Sequence, residues 1–295
     1  MTILCTTSTF SASVPDRFTL ITNPYGRRLT EQEVSALIAE HRPVGLLAGV
    51  EPLTRTVLAA AQGLRVISRC GVGVDSVDLE AARELGITVC TTPEAPVPSV
   101  AELTIALMLT ALRRIPQTDA AIRSGRWPKP EGNLLGGKTV GIIGCGRIGS
   151  AVAALVRAFG CTVLGYDPAV AEHGICAMTG LHELLSDSDI VTLHAPAVAA
   201  TRKMIDASAL ALMKPQAILV NTARGALVDE AALERALRDG TIALAALDVF
   251  DEEPYAGALV HLPEKTVLTS HIASGAREAR ARMEAEAVKN LLLSF

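Results

Sequence analysis

Residues Thr139–Ile143 form a short apolar run that leads directly into Gly144-Cys145-Gly146-Arg147-Ile148-Gly149, and an alanine-rich stretch follows. Three glycines at this spacing, between a strand and a helix, constrain the chain more than any other feature. The first permits a tight turn, the second lets the backbone approach a ligand, and the third lets helix and strand pack closely. The helix N-terminus presents free N–H groups and a partial positive charge. Such a turn suits a pyrophosphate, with Arg147 and Ile148 in the first helical turn. The next apolar run, Thr162–Tyr166, ends at Asp167, 18 residues past Gly149. A carboxylate there accepts from the ribose hydroxyls of an adenosine half. It also repels a 2′-phosphate, and Pro168-Ala169-Val170 supply no offsetting cation. NAD is therefore expected as cofactor. The plainer alternative, a glycine-rich turn that binds nothing, does not explain strand, turn, helix and acid in register.

Apolar runs near 18–21, 44–47, 65–68, 88–90, 139–143, 162–166, 190–193, 217–220, 242–247 and 267–269 read as strands. Helical stretches are expected near 31–41, 54–62, 78–85, 99–124, 147–159, 229–238 and 275–292. Their alternation implies an α/β fold with parallel sheets covered on both faces. The segment from Thr91 to Pro98 carries three prolines in six residues, which bars helix and central strand alike. A second break surrounds residues 270–275. The expected architecture is two doubly wound parallel-sheet domains, Rossmann-like and flavodoxin-like. Residues 1–97 and 275–295 form an outer, substrate-binding domain, and residues 98–274 form an inserted nucleotide-binding domain.

With 295 residues, 49% hydrophobic and 20% charged, the chain has enough apolar mass for two cores. This balance excludes disorder, collagen and a disulfide scaffold. The net charge of −4 offers no excess of cations for a nucleic-acid backbone. The six cysteines stand singly, with no C-x-x-C pair, as reduced core thiols do. The N-terminus lacks a basic, apolar leader, and residues 103–112 fall short of the ~20 needed for a membrane span. A cytoplasmic location and no membrane partner are expected. No H-E-x-x-H, G-x-S-x-G or P-loop pattern occurs, so no metal site is expected.

Four further blocks identify a resemblance. They are Ser68-Arg69-Cys70-Gly71-Val72-Gly73-Val74-Asp75, Ser99-Val100-Ala101-Glu102, Asn221-Thr222-Ala223-Arg224-Gly225, and Leu247-Asp248-Val249-Phe250-Asp251-Glu252-Glu253-Pro254 followed by Ser270-His271-Ile272-Ala273-Ser274. In order and spacing the chain resembles the D-isomer-specific 2-hydroxyacid dehydrogenases, and most of all their phosphoglycerate-dehydrogenase-type members. The resemblance implies a nucleotide domain inserted in a discontinuous substrate domain. It implies a catalytic set of Arg224, Glu253 and His271. An imidazole, with an ordinary pKa near 6.5, suits proton transfer at the C2 oxygen. Glu253 would favour the imidazolium and fix the ring. Arg224 would hold the substrate carboxylate or carbonyl. Glu253 is preferred to Asp251 and Glu252 because it immediately precedes Pro254, as the family's acid does.

The resemblance also implies that Val72 and Gly73 receive the substrate carboxylate through backbone N–H groups, with Arg69 adding charge. Asp248 is expected at the nicotinamide carboxamide, and Ala195, Thr222 and Ser274 along the cofactor. His194 reads as structural. The apolar helix from Ser99 to Ala121 lies where the resemblance implies the contact of a homodimer. The implied reaction interconverts a D-2-hydroxy acid and its 2-oxo acid, with 3-phosphoglycerate expected first. Hydroxypyruvate, glyoxylate or a phosphonate analogue are the alternatives. A distal phosphate would call on Arg27, Arg28, Arg55 or Arg69. The chain ends soon after the last helical stretch, so the serine-binding domain of some phosphoglycerate dehydrogenases is not expected. A reading from another class is an NAD(H)-sensing module of corepressor type.

Overall fold

In the computed structural model, which describes residues 1–295, the β and α runs form two parallel sheets in two compact units. One unit comprises Met1–Pro96 with Ser274–Phe295, and the other Val97–Ala273. The first holds β1 (Thr2–Cys5), β2 (Thr19–Thr22), α1 (Glu31–His41), β3 (Gly45–Ala48), α2 (Arg55–Ala60), β4 (Val66–Arg69), α3 (Leu79–Glu84) and β5 (Thr88–Cys90). Its strand order is β2-β1-β3-β4-β5, parallel throughout. Thr30 opens α1 with a capping box that uses Glu33, and Asp78 caps α3 through the Ala81 N–H. Helices α1–α3 bury Val34, Ile38, Val57, Leu58 and Ala81 against Leu4, Leu46 and Ile67. Strand β1 is not anticipated by the sequence reading. It is four residues at the chain start, yet its pairing with both β2 and β3 makes it an interior strand.

The second unit holds α4 (Val97–Arg113), α5 (Ile115–Arg123), β6 (Thr139–Ile143), α6 (Arg147–Ala158), β7 (Thr162–Tyr166), β8 (Ala177–Met178), α7 (Leu181–Asp187) and β9 (Ile190–Leu193). It continues with α8 (Ala207–Leu212), β10 (Ile218–Asn221), α9 (Glu230–Asp239), β11 (Leu244–Leu247) and β12 (Thr266–Leu268). The order β12-β11-β10-β9-β6-β7-β8 is parallel and reverses direction between β6 and β9. Helices α4 and α6 cover one face through Met108, Val152 and Val156, and α7–α9 cover the other through Leu184, Leu210 and Leu233. The last helix, α10 (Arg277–Leu292), belongs to the first unit, where Ala287, Val288 and Leu291 pack on Ile3, Leu47 and Val66.

Three expectations need correction. The helix expected over 99–124 is two helices, because Arg114 takes a left-handed conformation (φ 52°) and Pro116 sits in the first turn of α5. Pro98 does not bar helix: it lies in the first turn of α4, where its missing N–H has no helical partner to lose. Helices α7 and α8 were not expected, since seven and six residues are too few for a 3.6-residue period to show.

The end of β9 meets the glycine turn. Gly144 has φ 96°, and a Cβ there would lie 2.6 Å from the Ala195 nitrogen. The neighbouring His194 pairs its Nε2 with Thr192 Oγ1 at 3.0 Å, while its Nδ1 is buried without a partner. Burial pushes this imidazole down to about 3. The folded chain thus refuses a proton that the unfolded chain accepts, so this residue's contribution to stability is lost as pH falls below about 6.5. His194→Gln is expected to flatten the acid limb of stability, measured by urea unfolding between about pH 4 and 7. An acid limb identical in the variant would contradict this assignment.

Candidate active site

Every group expected at the dinucleotide lies at or beyond the carboxyl ends of the second unit's strands, the end where open α/β sheets bind ligands. Gly146 caps α6 without a side chain, so the helix's first N–H groups have no side-chain acceptor there. A Cβ at Gly146 would meet nothing within 4 Å, and Gly146 and Arg147 are exposed. A Cβ at Gly149 would lie 2.0 Å from the Gly144 carbonyl oxygen, so only glycine allows this packing. Ile148 is half-buried against the core. Free N–H donors, open approach and a helix dipole fit a pyrophosphate.

Asp167 follows β7. Its Oδ2 accepts from the Cys145 N–H at 2.9 Å and its Oδ1 from the Ala169 N–H at 2.9 Å. The carboxylate therefore ties the turn to β7, and each oxygen retains a lone pair for a ribose hydroxyl. Ala195 abuts the turn through its backbone nitrogen. Thr222 is buried, and its hydroxyl pairs with Thr104 of α4 at 2.9 Å.

The expected catalytic residues follow three neighbouring strands, β10, β11 and β12. Arg224 stands just after β10 and is half-buried. Asn221 shapes its turn: Oδ1 accepts from the Ala223 N–H at 3.0 Å, and Nδ2 donates to the Arg224 carbonyl at 2.8 Å. Gly225 must be glycine, since a Cβ would lie 1.9 Å from the Phe250 carbonyl carbon. This close approach seats the loop after β11. There the Glu253 Oε1 accepts from the Phe250 N–H at 3.1 Å, and the Phe250 ring stacks on Tyr255 with centroids 4.1 Å apart.

Glu253 Oε2 meets His271 Nδ1 at 2.8 Å. Asp251 is instead exposed, 3.7 Å from Arg202. With its Nδ1–H on a carboxylate, a neutral His271 is the tautomer with a bare Nε2, and the side chain is 41% exposed. His271 adopts a left-handed backbone (φ 55°), which costs a non-glycine residue roughly 1–2 kcal/mol. Asp248 holds it there. The Asp248 carbonyl accepts from the His271 N–H at 2.8 Å. Its carboxylate accepts from the Thr269 hydroxyl at 2.6 Å and from the Ile272 and Ala273 N–H groups at 2.9 Å each. Asp248 is fully buried, and its carboxylate serves the turn around His271. The Ala273 carbonyl is in turn bound by the Ser99 hydroxyl at 2.6 Å, and Ser274 follows half-buried.

In the first unit, Val72 is exposed and Gly73 half-buried after β4, beside a turn closed by Gly71 N–H to Thr92 Oγ1 at 2.8 Å. Arg69 is buried, and its guanidinium folds back onto the Cys70 carbonyl and under Gly71. Arg27 pairs with Glu33 at 2.6 Å, and Arg55 with Glu84. Sequence spacing does not flag Thr269 as a shaping residue, because its partner Asp248 lies at the end of another strand.

Asp248→Asn replaces an acceptor with an amide donor that faces N–H groups. It is expected to cost about 1–3 kcal/mol and to speed hydrogen exchange of the Ile272 and Ala273 amides. Wild-type exchange at both amides would contradict the assigned role.

Residues 105–273 match the family described as D-isomer specific 2-hydroxyacid dehydrogenase, NAD binding domain. The chain is 41% identical over 274 residues to a D-3-phosphoglycerate dehydrogenase of Methanocaldococcus jannaschii, covering 90% of this chain and 52% of that one. It is 40% identical over 255 residues to a glyoxylate reductase of Thermococcus litoralis, covering 82% of this chain and 77% of that one. A crystal structure of the Thermus thermophilus protein TT0316 superposes with a TM-score of 0.89 at 38% identity, covering 100% of this chain and 96% of that one. The chain spans about half the length of the phosphoglycerate dehydrogenases it matches. On these matches and this geometry, the chain belongs to the D-isomer specific 2-hydroxyacid dehydrogenase family and carries its NAD-binding domain.

Proposed function

We propose that the protein interconverts a D-2-hydroxy acid and its 2-oxo acid with NAD(H). The observation that carries this reading is the 2.8 Å contact between His271 Nδ1 and Glu253 Oε2 on a part-exposed imidazole. In the reducing direction, Arg224 binds the substrate's carboxylate or carbonyl oxygen and draws electron density from C2. His271 Nε2 delivers a proton to the C2 oxygen. Glu253 receives the Nδ1–H, keeps the ring oriented and stabilises the imidazolium. Asp248 acts one step back, through the backbone of the His271 turn. The bound dinucleotide supplies the hydride to C2. In the oxidising direction the same Nε2 takes the hydroxyl proton. Asp167, with no adjacent cation, favours NAD over its 2′-phosphorylated form.

The substrate tail we propose is small and unphosphorylated, as in glyoxylate or hydroxypyruvate. Of the four arginines considered for a distal phosphate, Arg27 and Arg55 are held by carboxylates and Arg69 is buried, which leaves the exposed Arg28 alone. A second reading, 3-phosphoglycerate, is favoured by the name of the 41% identical relative.

The test is NADH oxidation with glyoxylate, hydroxypyruvate, pyruvate and phosphohydroxypyruvate. Turnover of the small acids is expected, faster with NADH than with NADPH. His271→Asn is expected to lower kcat by about 10²–10⁴ while NADH binding persists. A sharp preference for phosphohydroxypyruvate would replace the first substrate reading with the second. Full activity in His271→Asn would remove His271 from the chemistry. NADH binding without turnover of any 2-oxo acid would point to a sensing module.

A further inference from the structure

The residue between the first two glycines of the dinucleotide turn is a cysteine, and it is not alone. Cys145 and Cys176 are neighbours across Gly165, and the Met178 sulfur lies 4.0 Å from Cys145 Sγ. Gly165 of β7 makes this contact possible. A Cβ there would lie 2.8 Å from Cys176 Cβ, 2.8 Å from Met178 Sδ and 2.9 Å from Cys145 Sγ. A second link joins the same two residues through their backbones. The Cys176 N–H donates to His173 Nδ1 at 3.1 Å, His173 Nε2 pairs with Ser150 Oγ at 2.9 Å, and that hydroxyl donates to the Cys145 carbonyl at 3.2 Å.

We infer that Cys145 and Cys176 form a disulfide when the protein meets a peroxide, and that this bond weakens dinucleotide binding. The second half rests on the NAD-binding reading above. Cys176 is the attacking sulfur, since Cys145 beside it lowers its pKa and favours its thiolate. It is buried but lies between exposed Gly174 and Ala177, immediately before an edge strand of two residues paired only with β7. Local opening of so short an edge admits a small oxidant. The Cys176 thiolate attacks a peroxide oxygen, the O–O bond breaks, and the sulfur becomes a sulfenic acid. Cys145 then attacks that sulfur, the S–O bond breaks, and the oxygen leaves as water with the Cys145 proton. Two thiols lose two electrons and two protons, and hydrogen peroxide becomes two waters.

An S–S bond of about 2.0 Å draws Cys145 toward Cys176. The Cys145 N–H is bound to Asp167 and its carbonyl to Ser150. The displacement therefore reaches the Gly144–Gly146 backbone where the pyrophosphate is expected.

The test treats the full-length protein with hydrogen peroxide, digests it without reductant, and titrates NADH by fluorescence before and after. The expected product is a Cys145–Cys176 linked peptide, with fragmentation placing the bond at Cys176 and not at Cys161. NADH affinity is expected to fall by about tenfold or more and to return with dithiothreitol. Cys176→Ser is expected to bind NADH normally and to ignore peroxide, while Cys90→Ser still responds. Absence of the linked peptide after oxidation, or single oxidation of either thiol without a link, overturns the pair. A linked peptide with unchanged NADH affinity overturns its effect on binding. Failure of the reduced protein to bind NADH would instead overturn the cofactor reading, with the linked peptide still deciding the disulfide.

Discussion

One buried carboxylate shapes the turn on which the proposed chemistry depends. Asp248 gathers the Thr269 hydroxyl and two backbone N–H groups on its side chain, and its own carbonyl takes the N–H of His271. Charge-assisted hydrogen bonds of this kind are roughly twice as strong as neutral ones. Together they offset the roughly 1–2 kcal/mol cost of a left-handed histidine. The result is a part-exposed ring held against Glu253. Strain concentrated at such a residue is what a functional position leaves in a backbone.

The parallel sheet supplies the rest of the arrangement. Strands β10, β11 and β12 lie side by side with their carboxyl ends together, so loops far apart in the chain become neighbours. Gly225 lets the first two of these loops touch backbone to backbone. On the other side of the strand-order reversal, the glycine turn meets β9 at Ala195 and is tied to β7 by Asp167. The turn and the proposed proton-transfer pair are thus set by one rigid sheet. The same compactness brings Cys145 against Cys176, so a covalent change at the edge strand is felt where the pyrophosphate would sit.

Much of this was legible in the residues. The glycine spacing, the strand before it and Asp167 all lie within one local unit, and local units reveal themselves through period and turn chemistry. Glu253 was separable from Asp251 and Glu252 by its place before Pro254, and it is Glu253 that the structure puts on His271. What depends on long-range packing was not legible. Strand β1 is defined by partners on both sides, not by its four residues. Helices α7 and α8 are too short to carry a period. The burial of Arg69 against Cys70, and the turn of Asp248 inward toward Ala273, follow from how neighbouring strand ends pack. A motif shows that a charged residue is present, and only the fold decides which way it faces.

The central claim is that Glu253 acts on the reaction through His271. A double-mutant cycle on kcat/KM with Glu253→Gln and His271→Asn tests it most directly. The account predicts strong coupling: Glu253→Gln impairs the wild-type enzyme and has almost no further effect once His271 is asparagine. Independent, additive losses from the two substitutions would contradict it.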